Sequence, residues 1–236
     1  MSEAQIRIGI GGWNYPPWRG VFYPEKLAGS KMLGFYAERL NAVELNGTFY
    51  RTPPPGALTK WAAETPPGFR FCFKAARGLT YSAAAFPKVA VAGQVGQRLA
   101  EMGERLGPVL LQWPLTARNP DTGLLDALLE ALALPVAVEF RNQAWFAAEV
   151  YTVLARRGAA LVVTDEEKWP MAPVEPTAGF AYYRLRRVYT DAELDRWHER
   201  LQAPEGDVYV FFKHEPEAPA RALDLLTTGT DRRHSV

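Results

Sequence analysis

Short stretches in which hydrophobic and polar residues alternate recur along the chain, and longer stretches with helical spacing lie between them. Isoleucines alternate with polar or small residues over residues 6–10, and phenylalanines do so over residues 69–73. Alternation with a period of two is typical of β-strands. Residues 88–106 instead carry apolar side chains three or four positions apart, as in an amphipathic helix. The pattern therefore predicts repeated strand-then-helix units.

Eight strands and seven helices follow from this pattern. The predicted strands cover residues 6–10, 42–46, 69–75, 108–113, 136–141, 160–165, 180–186 and 207–213. The predicted helices cover residues 30–40, 55–64, 88–106, 124–132, 145–157, 190–201 and 218–226. Ser30 is expected to cap the first helix, Gly158 to end the fifth, and Thr190 with Glu193 to form a capping box on the sixth.

The stretch between the sixth and seventh strands differs from the others. Pro170, Pro173 and Pro176 fall where a crossover helix is expected, and proline disrupts helix interiors. We therefore expect this helix to be reduced or replaced by a Pro-rich loop.

Parallel strands joined by helical crossovers build either an open doubly wound sheet or a closed barrel. Eight such units within 236 residues favour a single TIM-like (β/α)8 barrel, an α/β fold. The predicted barrel domain covers residues 1–226, and residues 227–236 form a polar C-terminal tail. Gly9 and Gly11 leave little side-chain volume on one face of the first strand, which is typical of a crowded barrel axis or of close backbone approach by a ligand.

Composition narrows the functional classes. The chain carries 27 basic and 26 acidic residues, a net charge of +1, so it lacks the overall basic field typical of nucleic-acid-binding proteins. Cys72 is the single cysteine, which excludes an internal disulfide, and its place between phenylalanines favours a core role. The chain shows neither a signal-peptide pattern nor an apolar stretch of membrane-spanning length. We expect a cytoplasmic protein without a membrane contact.

Polar side chains stand near the carboxyl ends of most predicted strands. In α/β barrels the chemistry lies at that end, which makes these residues candidates for one site. They are Glu44, Asn46, Lys74, Gln112, Glu139, Arg141, Asp165, Arg184, Lys213 and His214. Burying so many charges is costly unless they are paired or serve a ligand. Ion pairs that only fill the barrel, such as Glu44 with Lys74, are the structural alternative.

The residue types indicate separate roles. Glu44, Glu139 and Asp165 are candidate catalytic carboxylates for general acid–base chemistry. Lys74, Arg141 and Arg184 are expected to hold an anionic part of the substrate and to stabilise developing charge. The other strand-end residues are candidate substrate-binding groups. Four basic residues against three acidic ones favour an anionic or polyhydroxylated ligand over a cation.

The loop after the first strand is rich in aromatic residues and prolines. Trp13 and Tyr15 are candidates for stacking on a sugar or a base. The alternative is a hydrophobic plug that anchors the loop. The glycines before this loop do not form a dinucleotide fingerprint, because Asn14 stands where the third glycine is required.

A divalent ion held by Glu44, Glu139 and Asp165 is the rival interpretation of the carboxylates. Only three histidines occur, and of these only His214 follows a predicted strand. Histidine pairs or cysteine pairs with metal-ligand spacing are absent. The sequence also lacks a phosphate loop and a G-x-S-x-G elbow, so we predict no metal ligands, and no cofactor is identified.

Several blocks resemble a known family. Residues 11–24, 41–51, 71–75, 110–114, 137–141, 182–184 and 208–214 resemble, in order, the motifs of the domain of unknown function 72 family, also called YecE-like. The resemblance covers nearly the whole chain and implies a TIM-barrel-like fold. It supplies no reaction. The last block reads Phe-Lys-His where many relatives have asparagines.

These observations predict an enzyme, a hydrolase or lyase, that acts on a small anionic or polyhydroxylated substrate at the carboxyl end of the barrel. The alternative is a protein that binds a nucleotide or the end of a nucleic-acid strand without catalysis, with the loop aromatics stacking on bases. Substrate identity and oligomeric state stay open.

Overall fold

Nine parallel β-strands, counted over the described residues, form the centre of the molecule. The computed structural model describes residues 4–46, 56–81 and 87–231, with side chains as far as residue 227. The strands are β1 (Ile6–Ile10), β2 (Ala42–Leu45), β3 (Arg70–Phe73), β4 (Val109–Trp113), β5 (Val136–Phe140), β6 (Ala160–Leu161), β7 (Val163–Asp165), β8 (Phe180–Leu185) and β9 (Asp207–Phe212). All eight predicted strands are confirmed, and the sixth is divided at Val162.

Eight α-helices occur within the described residues. They are α1 (Met32–Ala37), α2 (Ala57–Ala63), α3 (Gly78–Tyr81), α4 (Lys88–Ala100), α5 (Thr122–Leu132), α6 (Ala148–Arg157), α7 (Asp191–Leu201) and α8 (Ala218–Asp231). Each predicted helix is present, α3 is additional, and α8 continues beyond its predicted end. The predicted start of α2, at residue 55, lies outside the described residues.

The helix ends show which of the predicted caps are present. The Thr190–Glu193 capping box is present, and Gly158 ends α6 in the left-handed region at φ 60°. The predicted Ser30 cap is wrong, because Ser30 lies in a short 3₁₀ turn and α1 begins at Met32 without a side-chain cap. Helix α4 ends earlier than predicted, since Gly103 adopts φ 54°.

The strands pair in parallel in two sheets. One sheet has the order β3-β2-β1-β9-β8-β7, and the other has the order β4-β5-β6. Two isolated parallel bridges, Phe71 with Leu106 and Lys74 with Leu110, connect the β3 edge to the chain at β4. On the other side, β6 and β7 are separated by Val162 alone, whose N–H donates to the Val138 carbonyl at 2.9 Å. The two sheets are therefore in contact at both ends.

Alternate strand residues enter two hydrophobic clusters. The larger cluster lies between the strands and the helices and contains, for example, Val43, Leu111 and Val138. The smaller cluster collects side chains from the opposite strand face: Ala42, Cys72, Leu110, Ala137, Val162, Tyr182, Tyr209 and Phe211. This inner face continues, two residues later on each strand, into polar residues.

The glycines of β1 show why small residues are needed there. Gly9 pairs with Ala42, and a Cβ at Gly9 would lie 2.0 Å from the Ala42 carbonyl oxygen. Tyr36 of α1 donates its hydroxyl to the same oxygen at 3.0 Å. The crowding predicted from Gly9 is therefore caused by the neighbouring backbone.

Residues 166–179 connect β7 to β8 without a helix, as the three prolines predicted. In the part of the chain that the structure describes, no helix has the length and apolar character required to span a membrane.

Candidate functional site

Five polar side chains lie on the inner strand face, each two residues beyond a member of the smaller hydrophobic cluster. Their elements are β2, the end of β3, β4, β5 and β8. The residues are Glu44, Lys74, Gln112, Glu139 and Arg184, with exposed fractions between 0% and 8%. Because side chains alternate along a strand, the period of two places all five on one face. We call this group the inner cluster.

Arg184 joins the two carboxylates of the inner cluster. Its Nε and Nη2 donate to Glu44 Oε2 and Oε1 at 3.0 and 2.7 Å, and its Nη1 donates to Glu139 Oε2. Tyr182 and Asn46 also donate to Glu44, at 2.9 and 3.0 Å. Buried charges are tolerated when they are paired and hydrogen-bonded in this way. The arginine is therefore held rigidly by a bidentate and a single contact.

The ion pairs determine the charge of both carboxylates. Burial alone would raise the pKa of Glu44, but the Arg184 guanidinium holds it below its ordinary value. Burial likewise opposes ionisation of Glu139, while Arg184 and Arg141 lower the pKa of this carboxyl to about 2. Burial would lower the pKa of Arg184, and the two carboxylates raise it above its usual range. All three groups are ionised at neutral pH.

Lys74 lies on the other side of the inner cluster. Its Nζ donates to Gln112 Oε1 at 2.8 Å, and the Tyr81 hydroxyl donates to the same oxygen at 3.0 Å. Burial, assisted by the charge of Arg184, lowers the pKa of Lys74 to about 8. Within the inner cluster, Lys74 is therefore the group that exchanges a proton near neutral pH.

Two further arginines stand one layer outside the inner cluster. Arg141 Nε contacts Glu139 Oε1 at 3.2 Å, and the Trp169 ring lies 4.4 Å from the Arg141 guanidinium carbon. Arg186 Nε lies 3.8 Å from Glu166 Oε2. Burial and then the charge of Arg184 lower the pKa of Arg186. The positive charge of the site is thus concentrated on its outer side.

Unpaired polar atoms also concentrate here. Four buried side-chain nitrogen or oxygen atoms in the described part of the chain have no hydrogen-bond partner. Three of them are Gln112 Nε2, Thr164 Oγ1 and Trp169 Nε1. Gln112 nevertheless helps to lower the pKa of Glu139, its register partner, without a hydrogen bond of normal geometry. Thr164 pairs with Arg184 in the β7–β8 register. Buried groups of this kind are normally satisfied, so the three atoms are exceptions that lie close together.

Of the two aromatic candidates, Tyr15 lies near the site. Its ring stacks on His214 with centroids 4.4 Å apart and an angle of 7°. After burial, the charge of Glu44 is the largest cause that raises the pKa of Tyr15. Burial lowers the pKa of His214. The two rings therefore form an aromatic pair close to the carboxylate side of the site.

Trp13 packs elsewhere. Its ring lies edge-on to Trp61 of α2, with centroids 5.3 Å apart. Trp18 in the same loop is buried and donates its Nε1 to the Glu215 carbonyl at 3.2 Å, and Phe22 packs edge-on to Phe35 of α1. This part of the loop is thus a hydrophobic anchor, and the stacking role predicted for Trp13 has no support from its contacts.

Asp165 and Lys213 are not brought to the inner cluster. Asp165 accepts hydrogen bonds from Arg187 at 2.9 Å, Tyr189 at 3.0 Å and Trp197 at 3.3 Å. Because side chains alternate, Thr164 takes the inner position and Asp165 points toward α7. Lys213 pairs with Glu215 and is more exposed than the inner cluster. The expected convergence of Asp165 with Glu44 and Glu139 is corrected here.

The alternative interpretation, a divalent ion held by Glu44, Glu139 and Asp165, lacks its third ligand because Asp165 points away from the other two carboxylates. Within residues 4–46, 56–81 and 87–231, histidine, cysteine and carboxylate side chains nowhere gather in threes as a metal site requires. Glu44 and Glu139 direct their oxygens to Arg184 instead.

Several site residues were not among the sequence candidates. Tyr182 and Arg186 flank Arg184 at two-residue spacing, so the strand period could have identified them. Thr164 required knowledge of which face of its strand points inward. Trp169 lies in the Pro-rich loop, where no sequence pattern predicts its contact with Arg141.

Comparisons with known proteins agree with this architecture. Residues 7–234 match the family model described as protein of unknown function DUF72. The UPF0759 protein YunF of Bacillus subtilis is 30% identical, with 94% of both chains covered. The UPF0759 protein YecE of Escherichia coli K12 is also 30% identical, over 68% of this chain and 59% of YecE.

Solved structures extend the comparison to the fold. A DUF72 family protein of Thermotoga maritima, TM1631, has a TM-score of 0.80 at 27% identity, covering 95% of this chain and 98% of that one. A DUF72 family protein of Enterococcus faecalis, EF0366, has a TM-score of 0.75 at 21% identity, covering 96% and 98%, and this likeness concerns the fold alone. With a family match over residues 7–234 and a relative 30% identical over 94% of both chains, this chain belongs to the DUF72 family.

Proposed function

We propose that the protein is an enzyme that binds a small anionic substrate at the carboxyl ends of its strands, where the inner cluster meets the two outer arginines. The observation that carries this proposal is the Glu44–Arg184–Glu139 network with Lys74 and Gln112 beside it. A buried network of this size has a high desolvation cost, which filling the interior with apolar side chains would avoid. Its location also matches the active end of α/β barrels.

The proposal includes a single barrel formed by both sheets. The bridges from Phe71 to Leu106 and from Lys74 to Leu110 support its closure on one side. The shared strand around Val162 supports it on the other side. The proposal also takes residues 1–226 as one domain. Within such a barrel the inner cluster occupies the interior, with the outer arginines between it and solvent.

Anion recognition is assigned to Arg141 and Arg186. Each guanidinium offers five N–H donors, and the single carboxylate contact of each leaves most of them available for a ligand. A planar fork matches carboxylate or phosphate oxygens in a bidentate manner. The unpaired Nε1 of Trp169, beside Arg141, adds a neutral donor.

Proton transfer is assigned to Lys74 rather than to the carboxylates. A general acid needs a proton to donate near the working pH, and the pKa of Glu139 at about 2 excludes that role at neutral pH. Glu44 and Glu139 instead orient Arg184. Lys74, with a pKa of about 8, can both accept and return a proton under the same conditions. Arg184 stabilises negative charge that develops on the substrate.

The proposal is tested by titrating phosphate, sulfate and small carboxylates against the wild-type protein and Arg141→Ala in a calorimeter. We expect the variant to bind more weakly by about 1.5–3 kcal/mol, the usual size of a hydrogen bond to a charged group. The control is Arg196→Ala, which removes an exposed arginine from α7 and should not change the affinity. The proposal fails if the wild-type protein binds none of these anions at millimolar concentration while Arg141→Ala changes only the melting temperature.

The Tyr15–His214 pair supports a second candidate, the binding of a nucleotide without catalysis. An aromatic pair beside basic residues can stack on a base whose phosphate meets the arginines. In that case adenosine monophosphate should bind more tightly than inorganic phosphate, and Tyr15→Ala should remove the difference. Equal affinities would exclude this candidate and leave the proposal of a small substrate intact.

A further inference from the structure

Lys74 has a setting that proton transfer alone does not require. Lys74 follows β3 directly and reaches into the inner cluster, and the whole residue is 8% exposed. Its amine donates to the neutral amide oxygen of Gln112 at 2.8 Å. The charged groups that act on it are Arg184, Glu139, Glu44 and Arg141, from three other strands or strand ends. Two guanidiniums and burial disfavour the ammonium form, which makes the amine available as a nucleophile.

We propose that Lys74 forms an imine with a small aldehyde or ketone that carries a carboxylate or phosphate group. This inference rests on the proposed function, because the outer arginines would hold the anionic group while the carbonyl carbon reaches the amine. The class of substrate follows from the layout: anion-binding guanidiniums lie one layer outside a buried primary amine.

The step balances without an added oxidant or reductant. The neutral Nζ of Lys74 attacks the carbonyl carbon, and one of its two protons passes to the carbonyl oxygen to give a carbinolamine. The carbon–oxygen bond then breaks, and the oxygen leaves as water with the second proton of the nitrogen. The nitrogen lone pair forms the new carbon–nitrogen double bond. Arg184 stabilises the oxygen while it carries negative charge.

The test traps the imine by reduction. The wild-type protein is incubated with pyruvate, dihydroxyacetone phosphate or uncharged dihydroxyacetone, each with sodium borohydride, and digested for peptide mass spectrometry. We expect the peptide with Lys74 to gain the mass of pyruvate or dihydroxyacetone phosphate minus one oxygen atom. The two anionic compounds distinguish a carboxylate from a phosphate substrate. Exposed Lys26 and Lys31 report unspecific labelling within the same digest.

Two variants refine the result. Lys74→Arg keeps a cation at this position but cannot form an imine, so its adduct should disappear while phosphate still binds. Arg141→Ala should lower trapping of the anionic compounds at least about tenfold more than trapping of dihydroxyacetone, the loss expected for one charged hydrogen bond to the anionic group. If Lys74→Arg fails to fold, the wild-type peptide map still decides the question.

The inference is overturned if Lys74 gains no adduct, or gains no more than Lys26 and Lys31. Phosphate binding by the wild-type protein is measured in the same buffer. This measurement distinguishes failure of the imine proposal from failure of the proposed function. Bound phosphate without an adduct removes the imine and keeps the anion site. If the wild-type protein forms no adduct and binds no phosphate, the proposed function is refuted as well.

Discussion

Replacing Arg184 by Met should destabilise the protein strongly, because it removes the cation shared by two buried carboxylates and leaves Glu139 with its Arg141 contact alone. Holding the pKa of Glu139 at about 2, against an ordinary value of 4.5, corresponds to about 3 kcal/mol of stability. Glu44 is fully buried and adds to this amount. We therefore expect Arg184→Met to lower the free energy of unfolding at pH 7 by about 3–5 kcal/mol, the usual cost of breaking a buried ion pair.

The loss should depend on pH. In the wild-type protein the pKa of Glu139 is lowered on folding, so its contribution is present above pH 4.5 and is lost as the pH falls toward 2. In Arg184→Met, burial without the guanidinium would raise the pKa of Glu44 above the unfolded value. The variant then loses stability as the pH rises toward neutrality. The difference between the two proteins should be largest at pH 7 and shrink as the pH falls to 4.5.

Urea denaturation at pH 7 and pH 4.5, followed by circular dichroism, measures both effects. Lys60→Met, which breaks a more exposed pair with Glu64, is the matched control and should change stability little. The combination of Glu44→Leu, Glu139→Leu and Arg184→Met should recover most of the loss, because an apolar replacement leaves no unpaired charge. A loss below about 1 kcal/mol at pH 7 in Arg184→Met would refute the reasoning, since that is the size of a surface pair.

Two further predictions concern other parts of the molecule. Gly96→Ala should destabilise the contact between α4 and α5, because the new Cβ would lie 2.2 Å from the Leu132 carbonyl oxygen. At Gly93 the nearest atom would be 3.8 Å from the new Cβ, so Gly93→Ala should stabilise the protein by about 0.5–1 kcal/mol through helix propensity. Thermal melting curves compare the two variants. Asp165→Asn should lower the melting temperature but leave anion affinity in the calorimeter unchanged, since Asp165 contacts the α7 side, and a weaker affinity would return it to the site.

The local pattern of the sequence determined most of the secondary structure. Period-two alternation predicted the strands and placed Glu44 with Asn46, and Glu139 with Arg141, on common faces. Capping at Thr190, the helix end at Gly158 and the missing helix after β7 depend on neighbouring residues only, which explains why they could be predicted. The Ser30 cap failed because a 3₁₀ turn over Gly29–Lys31 precedes the helix.

Only the tertiary structure decided which charges meet. Arg184 pairs with Glu44, 140 residues earlier, and with Glu139, 45 residues earlier, and no local pattern encodes contacts over such separations. The sequence also does not determine which face of the sixth predicted strand points inward, because its residues are apolar on both faces until Thr164 and Asp165. Register with β5 and β8 turned Thr164 inward and Asp165 outward. Side chains of a parallel sheet meet at one site only when strands far apart in the sequence pair in a particular register. This pairing is set by the tertiary structure.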